Sequence, residues 1–236
     1  MKHVEEISPH CYSFTRWKHF PLIAVFSDSA YNFSHDTAIT EKNLFLSHVG
    51  LNINSVIFPQ QVHGAGVSIV GKGSPQTVLA RDGLISSERD VPIAILTADC
   101  APLFFYAPRT NVIGIVHAGW RGIRDGIIHS TLDTMTNNFR VNTKDIHVAC
   151  GPAIRSCCYE VGEDVSHYFN SGVTHKDSRI FLDLPEVIKS ELCEHGVLAH
   201  NIIDSELCTH CLQDTFFSYR REGENTGRIL SLIMLK

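Results

Sequence analysis

The sequence contains few charged residues and no long apolar run. Charged residues make up 19% of the 236 residues, and 20 Lys and Arg stand against 25 Asp and Glu, for a net charge of −5. Proteins that bind the nucleic-acid backbone need a dense basic surface, so nucleic acid is not an expected partner. The apolar stretches at 91–96 and 229–235 are far shorter than the roughly 20 residues of a membrane span, and we expect no membrane association.

The N-terminal residues and the cysteines lead us to expect neither a secretory leader nor a disulfide framework. Glu5 and Glu6 stand where a leader has a basic region followed by an apolar stretch. The eight cysteines are sparse and irregularly spaced, unlike those of a small secreted scaffold. We therefore expect a cytoplasmic protein whose thiols are reduced.

Hydrophobic residues are 44% of the chain, and neither a linker nor a repeat interrupts it. This favours a single domain over residues 1–236, as a monomer or a small homo-oligomer. Short β-branched and aromatic runs predict strands at 22–27, 55–58, 67–70, 93–97, 103–106, 112–117, 146–150 and 229–235.

Helices are predicted at two main places. Apolar residues at 128, 132, 135 and 139 form one helical face, and a second helix runs from 185 to 195 with Asp183 or Leu184 at its cap. A turn into a third helix that begins near Glu163 is the alternative to the pocket-lining loop at 150–162 described below. Strands with hairpin-length connections and a few helices predict an α+β or mixed α/β fold of layered mixed β-sheets with flanking helices, rather than a regular parallel βαβ array.

Three segments place metal-ligating side chains at predicted strand ends: 61–64 (Gln-Val-His-Gly), 97–102 (Thr-Ala-Asp-Cys-Ala-Pro) and 116–122 (Val-His-Ala-Gly-Trp-Arg-Gly). Cys100 lies at the end of one predicted apolar strand and His117 at the end of another, so we expect them side by side. Two histidines and a cysteine suit zinc and leave a fourth position open. The same Cys100 and His117 also fit a metal-free nucleophile and base, and the residues alone leave both interpretations open.

Two later segments have less specific patterns. The loop at 150–162, with adjacent Cys157 and Cys158, is interpreted as lining a pocket. Cys208 and Cys211 form a CxxC pair, but a closed zinc site needs two more ligands and the sequence has no second CxxC, so we predict no zinc there. The arginines at 220, 221 and 228 suit either an anion site or a salt-bridged turn.

Six motifs in order resemble the YfiH-like family, also called the laccase-domain or polyphenol-oxidoreductase family, whose members are regarded as purine nucleoside phosphorylases. They are Gln-Val-His-Gly, Asp-Gly-Leu-Ile-Ser at 82–86, Thr-Ala-Asp-Cys-x-Pro, His-Ala-Gly-Trp-Arg-Gly, Gly-Pro-Ala-Ile with Cys-Tyr-Glu-Val, and Phe-Phe-Ser-Tyr-Arg-Arg with Thr-Gly-Arg. The resemblance implies a catalytic zinc held by His63, Cys100 and His117. It also implies a fold shared with toxin-type cysteine hydrolases.

The resemblance further implies phosphorolysis of adenosine, inosine, guanosine or S-methyl-5'-thioadenosine, with adenosine deamination as a second activity. Zinc would polarise an oxygen, Asp99 would handle a proton or orient a ligand, and Arg121 would hold phosphate. Gln61 and Arg220 are further substrate-binding candidates. For Asp99 the alternative is a cap at the strand end.

The N-terminal side departs from the family pattern. Members usually carry Thr-Arg-x-Gly-Gly-Val-Ser, whereas residues 26–35 here contain no arginine. If that arginine binds phosphate, activity is weakened or altered, or Arg121, Arg220 or Arg221 replaces it. Cys211 lies outside the usual pattern and receives no role.

Other functions stay open at this stage. One alternative is a Cys/His or zinc hydrolase that edits a peptidoglycan precursor, which needs no phosphate. Another is a catalytically lapsed protein that binds zinc and nucleoside. Copper oxidation of polyphenols is disfavoured, because multi-copper oxidases use clustered His-x-His pairs and the sequence has none.

Overall fold

The computed structural model describes residues 3–34 and 37–236. The first two residues of the N-terminal segment, and His35 at the end of the segment 26–35, lie outside the described residues.

Two sheets form the centre of the fold. The first is antiparallel throughout, with the strand order β1 (Val4–Ser8), β2 (Cys11–Phe14), β3 (Leu22–Ser27), β16 (Ile229–Leu235), β8 (Ile93–Thr97). The second has the order β15 (Ile202–Asp204), β11 (His147–Cys150), β9 (Ala101–Ala107), β10 (Val112–Ala118), β7 (Gly83–Ser86), β5 (Val67–Ile69). Its edge pairs β11–β15 and β5–β7 are parallel and its inner pairs antiparallel.

Helices and two small sheets surround this centre. The helices are α1 (Ile39–Ser47), α2 (Trp120–Arg124), α3 (Ile127–Phe139), α4 (Glu163–Ser166), α5 (Leu184–Glu194) and α6 (Tyr219–Glu222). The small sheets comprise β12 (Glu160–Val161), β14 (Arg179–Leu182) and β13 (Val173–Lys176), and β4 (Phe58–Pro59) with β6 (Thr77–Val78). Among the described helices, none has the length and apolar character to span a membrane.

The central strands are apolar on both faces because each face is covered. In β9, Phe104 packs against the first sheet, whereas Phe105 packs in the core formed with α3 and α5. In β16, Ile233 faces the second sheet and Leu232 packs with Phe45 of α1. Successive side chains along each of these strands therefore pack into two different hydrophobic cores, one on each face of the sheet. The result is four layers, α1, two sheets, and α3 with α5, which confirms the predicted mixed architecture.

Most predicted elements lie where the sequence places them. The strands at 22–27 and 93–97 have the predicted bounds, and the helix predicted from 185 begins at Leu184. Asp183 caps that helix, since its carboxylate accepts a hydrogen bond from the backbone N–H of Glu186 at 3.2 Å. The helix expected near Glu163 is only one short turn.

The strand predicted at 55–58 is wrong in its first half. A short 3₁₀ turn occupies Ile53–Ser55, and sheet pairing begins at Ile57 and Phe58. The turn forms because the side-chain oxygen of Asn52 accepts the N–H of Asn54 at 3.0 Å. Local side-chain hydrogen bonds of this kind compete with strand pairing.

Candidate active site

Cys100 and His117 meet at one edge of the second sheet. The antiparallel register pairs His117 with Pro102 and Ala118 with Ala101, so the end of β10 lies beside the start of β9. Cys100 directly precedes β9, which brings its thiol to the His117 imidazole. The structure therefore has the side-by-side arrangement that the strand-end argument predicts.

His63 completes a three-residue centre. It lies in the loop before β5 with a left-handed backbone, φ +59°. Its ring is nearly perpendicular to that of His117, with the two centroids 4.7 Å apart. The ligand atoms of His63, Cys100 and His117 all lie within 4.8 Å of one another, so these side chains can hold one metal ion.

A buried carboxylate, Asp82, supports both histidines. Its oxygens accept hydrogen bonds from the backbone N–H groups of Val62, His63 and Gly64 at 2.8–3.1 Å, and from Nδ1 of His117 at 2.8 Å. Because Asp82 only accepts, His117 must donate from Nδ1 and present Nε2 to the centre. Burial alone would raise the pKa of Asp82, but these donors, His117 first, lower it overall.

Electrostatics at the centre favour a thiolate. Burial raises the pKa of the Cys100 thiol, but the charge of His117 and hydrogen bonds from both imidazoles outweigh it and lower the pKa to about 6. Burial lowers the pKa of His117, while Cys100 and Asp82 raise it to about 9. A thiolate with two imidazoles is the donor set that a borderline-soft divalent ion such as zinc prefers. The residues present thus fit a metal with an open fourth position.

Two glycines of the segment 116–122 allow this close packing. A Cβ on Gly119 would lie 2.8 Å from Sγ of Cys100, and one on Gly122 would lie 2.9 Å from the carbonyl oxygen of Gly64. Real Cβ atoms do not approach neighbours this closely, so both positions require glycine. The segment can therefore cross directly over the centre.

A cleft of about 730 Å³ opens at the centre. Its walls include the aromatic side chains of Trp120, Tyr159 and Tyr219. Arg121 also lines the cleft, with its guanidinium carbon 4.4 Å above the centre of the Trp120 ring. The cleft therefore combines flat apolar walls with an exposed cation next to a metal-type centre.

Asp99 lies beside Cys100, but its carboxylate faces other protein groups. It accepts hydrogen bonds from the hydroxyls of Thr209 at 2.6 Å and Ser218 at 3.1 Å, and from the backbone N–H of Arg220 at 2.7 Å. The residue is buried and has φ +89°. This geometry fits the capping alternative, and a proton-transfer role for Asp99 stays a prediction.

The other predicted substrate-binding residues differ in how free they are. Gln61 lines the cleft, but its amide exchanges two hydrogen bonds, at 2.8 and 2.9 Å, with the backbone of Leu96. Arg220 lines the cleft and stacks on Tyr159, donating to the carbonyl of Glu160 at 2.8 Å. Their roles in binding substrate are predictions that the geometry leaves open.

Arg221 does not replace the missing family arginine. Its guanidinium donates to the backbone carbonyls of Thr209, His210 and Phe216, and it pairs with Glu222. The expectation that Arg221 substitutes in the cleft is therefore wrong. Arg228, which the sequence grouped with it, does line the cleft.

The sequence interpretation did not identify Asp82 or Tyr219, whereas the pocket lining predicted for the loop at 150–162 is confirmed by Tyr159. In the sequence Asp82 stands out only as part of the motif Asp-Gly-Leu-Ile-Ser. An ionisable residue directly before a buried strand such as β7 is, however, itself unusual. Tyr219 lies roughly a hundred residues or more after the three segments that carry metal-ligating side chains, so no local spacing connects it to them.

These features define a class of protein, an α+β fold with a His/Cys/His metal-type centre in an aromatic cleft. This chain belongs to the family described as multi-copper polyphenol oxidoreductase laccase, whose model matches residues 29–236.

Individual relatives agree with this assignment. A purine nucleoside phosphorylase of Clostridium acetobutylicum is 32% identical over 234 residues, which cover 95% of this chain and 97% of that protein. The adenosine deaminase RL5, from an unknown prokaryotic organism, is 26% identical over 205 residues, covering 80% of this chain and 78% of that protein. The crystal structure of the hypothetical protein YfiH from Bacillus licheniformis superimposes with a TM-score of 0.93 at 27% identity, covering 100% of both chains. The predicted YfiH-like resemblance and fold class are confirmed.

Proposed function

We propose that this protein is a zinc-dependent purine nucleoside phosphorylase. The observation that carries the proposal is the His63, Cys100 and His117 centre, which opens into an aromatic cleft beside Arg121. The near full-length similarity to a protein named as a purine nucleoside phosphorylase supports the same reaction. In that reaction the bond between the purine nitrogen and C1' of the sugar breaks, and a phosphate oxygen forms the new bond to C1'. The products are the free base and a sugar 1-phosphate.

The substrates we propose are adenosine, inosine, guanosine and S-methyl-5'-thioadenosine. A flat purine fits between aromatic walls, and Trp120, Tyr159 and Tyr219 provide them. We assign phosphate binding to Arg121, because this exposed residue lines the cleft and a guanidinium can donate two parallel hydrogen bonds to an oxyanion. Arg220 and Arg228 add positive charge on the same cleft.

Zinc held by the three ligands would act as a Lewis acid toward an oxygen of phosphate, water or the nucleoside. The chain's own residues prepare that position. Asp82 fixes the orientation of His117 and the loop that carries His63, while Gly119 lets the Cys100 thiolate face the cleft. Asp99 acts as a positioning residue, because it holds the backbone of Arg220 and the hydroxyl of Thr209.

The test is turnover of adenosine and inosine by zinc-loaded protein, with and without phosphate, with base, sugar phosphate and deaminated product resolved by chromatography. We expect base release that requires phosphate and is abolished in Cys100→Ala. Cys193→Ala is the matched control, since Cys193 is an exposed thiol on α5 outside the cleft. Hydrolytic release of the purine base, or hydrolysis of an amide, without phosphate would favour the hydrolase instead. Binding of zinc and nucleoside without turnover would favour the catalytically lapsed binding protein.

Adenosine deamination is a second candidate, because a relative that covers most of this chain is named as an adenosine deaminase. In that reaction water replaces the exocyclic amine, so that adenosine gives inosine and ammonia. The same chromatographic assay separates the two reactions, since deamination proceeds without phosphate and leaves the glycosidic bond intact.

A further inference from the structure

Four cysteines outside the active site converge on one point. Two come from the loop after β11, two from the loop before α6, and together they form the four-cysteine cluster: Cys157, Cys158, Cys208 and Cys211. Their sulfur atoms all lie within 4.8 Å of one another. Sγ of Cys211 is 3.4 Å from that of Cys157 and 3.2 Å from that of Cys158.

The sequence predicts no zinc at this CxxC pair, because it contains no second pair of the same kind. The structure supplies the two additional thiols from the adjacent residues Cys157 and Cys158. These two residues are adjacent in the chain rather than separated by two residues, so a search for a second CxxC does not find them. Cys211, which received no role from the sequence, has its sulfur in contact with two others.

The spacing of the sulfur atoms suits one tetrahedral ion. Zinc binds sulfur at about 2.3 Å, and tetrahedral geometry then sets neighbouring sulfurs about 3.8 Å apart. The cluster's sulfur separations, from 3.2 Å up to a limit of 4.8 Å, include that value. All four are free thiols rather than disulfides. With four protein ligands no position stays open, so the site would be structural.

The backbone holds both loops in place around the cluster. Ala153 and Cys208 form a bridge, in which Thr209 donates to the Ala153 carbonyl at 3.2 Å. Within each loop, the backbone N–H of Cys158 donates to the carbonyl of Arg155 at 2.9 Å, and the backbone N–H of Leu212 donates to the carbonyl of Cys208 at 3.1 Å. The sulfur atoms are therefore brought together by main-chain hydrogen bonds that do not depend on the thiols.

The environment shifts the pKa values of thiols in the cluster in different directions. Burial raises the pKa of Cys208, but hydrogen bonds from the backbone N–H groups of Cys211 and Arg155, followed by the thiol of Cys157, lower it overall. Burial, followed by the hydrogen bond to Cys211, raises the pKa of Cys158 to about 12. Four crowded thiols cannot all ionise alone, whereas a divalent cation compensates their charge and displaces their protons to solvent.

We propose that the four-cysteine cluster binds a second zinc ion in a closed site that fastens together the two loops that flank the active-site cleft. Cys158 immediately precedes Tyr159, which lines the cleft. Cys208 immediately precedes Thr209, whose hydroxyl donates to Asp99 beside Cys100. The ion would thus connect Tyr159 in the cleft wall with Thr209, which binds Asp99 next to Cys100 of the active centre. Each cysteine binds as a thiolate and releases its proton to solvent.

The test is zinc content per chain, measured by plasma mass spectrometry on protein purified with zinc, a phosphine reductant and no chelator. Cys208→Ser/Cys211→Ser should hold one zinc fewer than the wild type, and Cys193→Ser should match the wild type. The difference of one does not depend on what the active centre holds, so failure of the proposed function is distinguishable. Equal zinc content in the wild type and the double variant would overturn the proposal.

A second measurement applies even if the double variant does not fold. In Cys100→Ala protein substituted with cobalt, the cluster should give an intense thiolate-to-cobalt charge-transfer band and tetrahedral visible bands. Four thiols should resist a thiol reagent until a chelator removes the ion. A Cys100→Ala protein that lacks the band, or whose cluster thiols form a disulfide under the same conditions with no metal bound, would contradict the proposal.

Discussion

The active centre and the four-cysteine cluster both gather ligands from separate segments, but they differ in donors and openness. The active centre has one thiol and two imidazoles, with His117 buried and backed by Asp82. The four-cysteine cluster has four thiols, two of them exposed, and its support is main-chain hydrogen bonding. Three ligands leave room for substrate, whereas four do not. Chemistry is therefore expected at the active centre and stabilisation at the four-cysteine cluster.

The largest effect is expected from filling the space beside the active-centre thiol. In Gly119→Ala the new methyl would lie 2.8 Å from Sγ of Cys100, so the thiol or the segment that carries residue 119 must shift. Displacement of a ligand by a fraction of an ångström should lower kcat/KM for adenosine by about 100-fold. The zinc of the four-cysteine cluster should be retained, as measured by metal content.

Gly73→Ala is the matched control for that substitution, because a Cβ there meets nothing within 4 Å. It should leave kcat/KM unchanged. Wild-type kinetics in Gly119→Ala would mean that the centre is not as tightly packed as the geometry indicates, and the contrast with the open space at Gly73 would be lost.

Asp82→Asn is expected to weaken only the active centre. The amide nitrogen of Asn would face a backbone N–H of the loop at Val62–Gly64, and the hydrogen bond that orients His117 would lose its charge. Loss of such outer-sphere support typically costs roughly 10- to 100-fold in metal affinity. Zinc titration should show this loss at one site. Asp125→Asn, at an exposed carboxylate, is the control. An equal loss of zinc affinity at the active centre and at the four-cysteine cluster would contradict the conclusion that different residues support the two sites.

Strand ends carried most of what the sequence predicted about the active centre. Val112–Ala118 and Ala101–Ala107 are continuous apolar runs, which reveal strands buried on both faces, and their connection is short enough to require antiparallel pairing. Cys100 and His117 lie at the end of this hairpin opposite its turn. Their proximity therefore follows from the antiparallel pairing of the two strands. The donor chemistry then indicates the kind of metal.

The remainder of the site depends on contacts that local spacing does not encode. The hydrogen bonds of Asp82 reach both a loop twenty residues earlier and a strand thirty-five residues later. The four-cysteine cluster joins segments more than fifty residues apart in sequence. The hairpin of β13 and β14 was also missed, because β13 is largely exposed and polar and the apolar run of β14 is only three residues long.

A third prediction separates phosphate binding from metal binding. Arg121→Ala should raise the KM for phosphate about tenfold, the effect of losing one charge-assisted contact, with kcat and both metal sites little changed. Arg124→Ala is the matched control, since Arg124 also lies over the Trp120 ring, 5.4 Å from its centre, but does not line the cleft. An unchanged KM for phosphate in Arg121→Ala would transfer the role to Arg220 or Arg228.

The smallest effect is expected at Asp99, where the two regions meet. In Asp99→Asn with the amide nitrogen in place of Oδ2, the hydroxyl of Thr209 keeps its acceptor and the hydroxyl of Ser218 can turn to accept from the amide, but the backbone N–H of Arg220 faces the amide nitrogen and loses its acceptor. Loss of that one hydrogen bond should raise the KM for the nucleoside roughly three- to tenfold while kcat and the pH profile stay unchanged. Asp214→Asn, at an exposed carboxylate in the same part of the chain, should change neither constant. If kcat falls instead and the pH profile loses a limb, Asp99 moves a proton in the reaction. Its link through Thr209 to the four-cysteine cluster would then connect that cluster to catalysis itself, because Cys208 is the next residue in the chain.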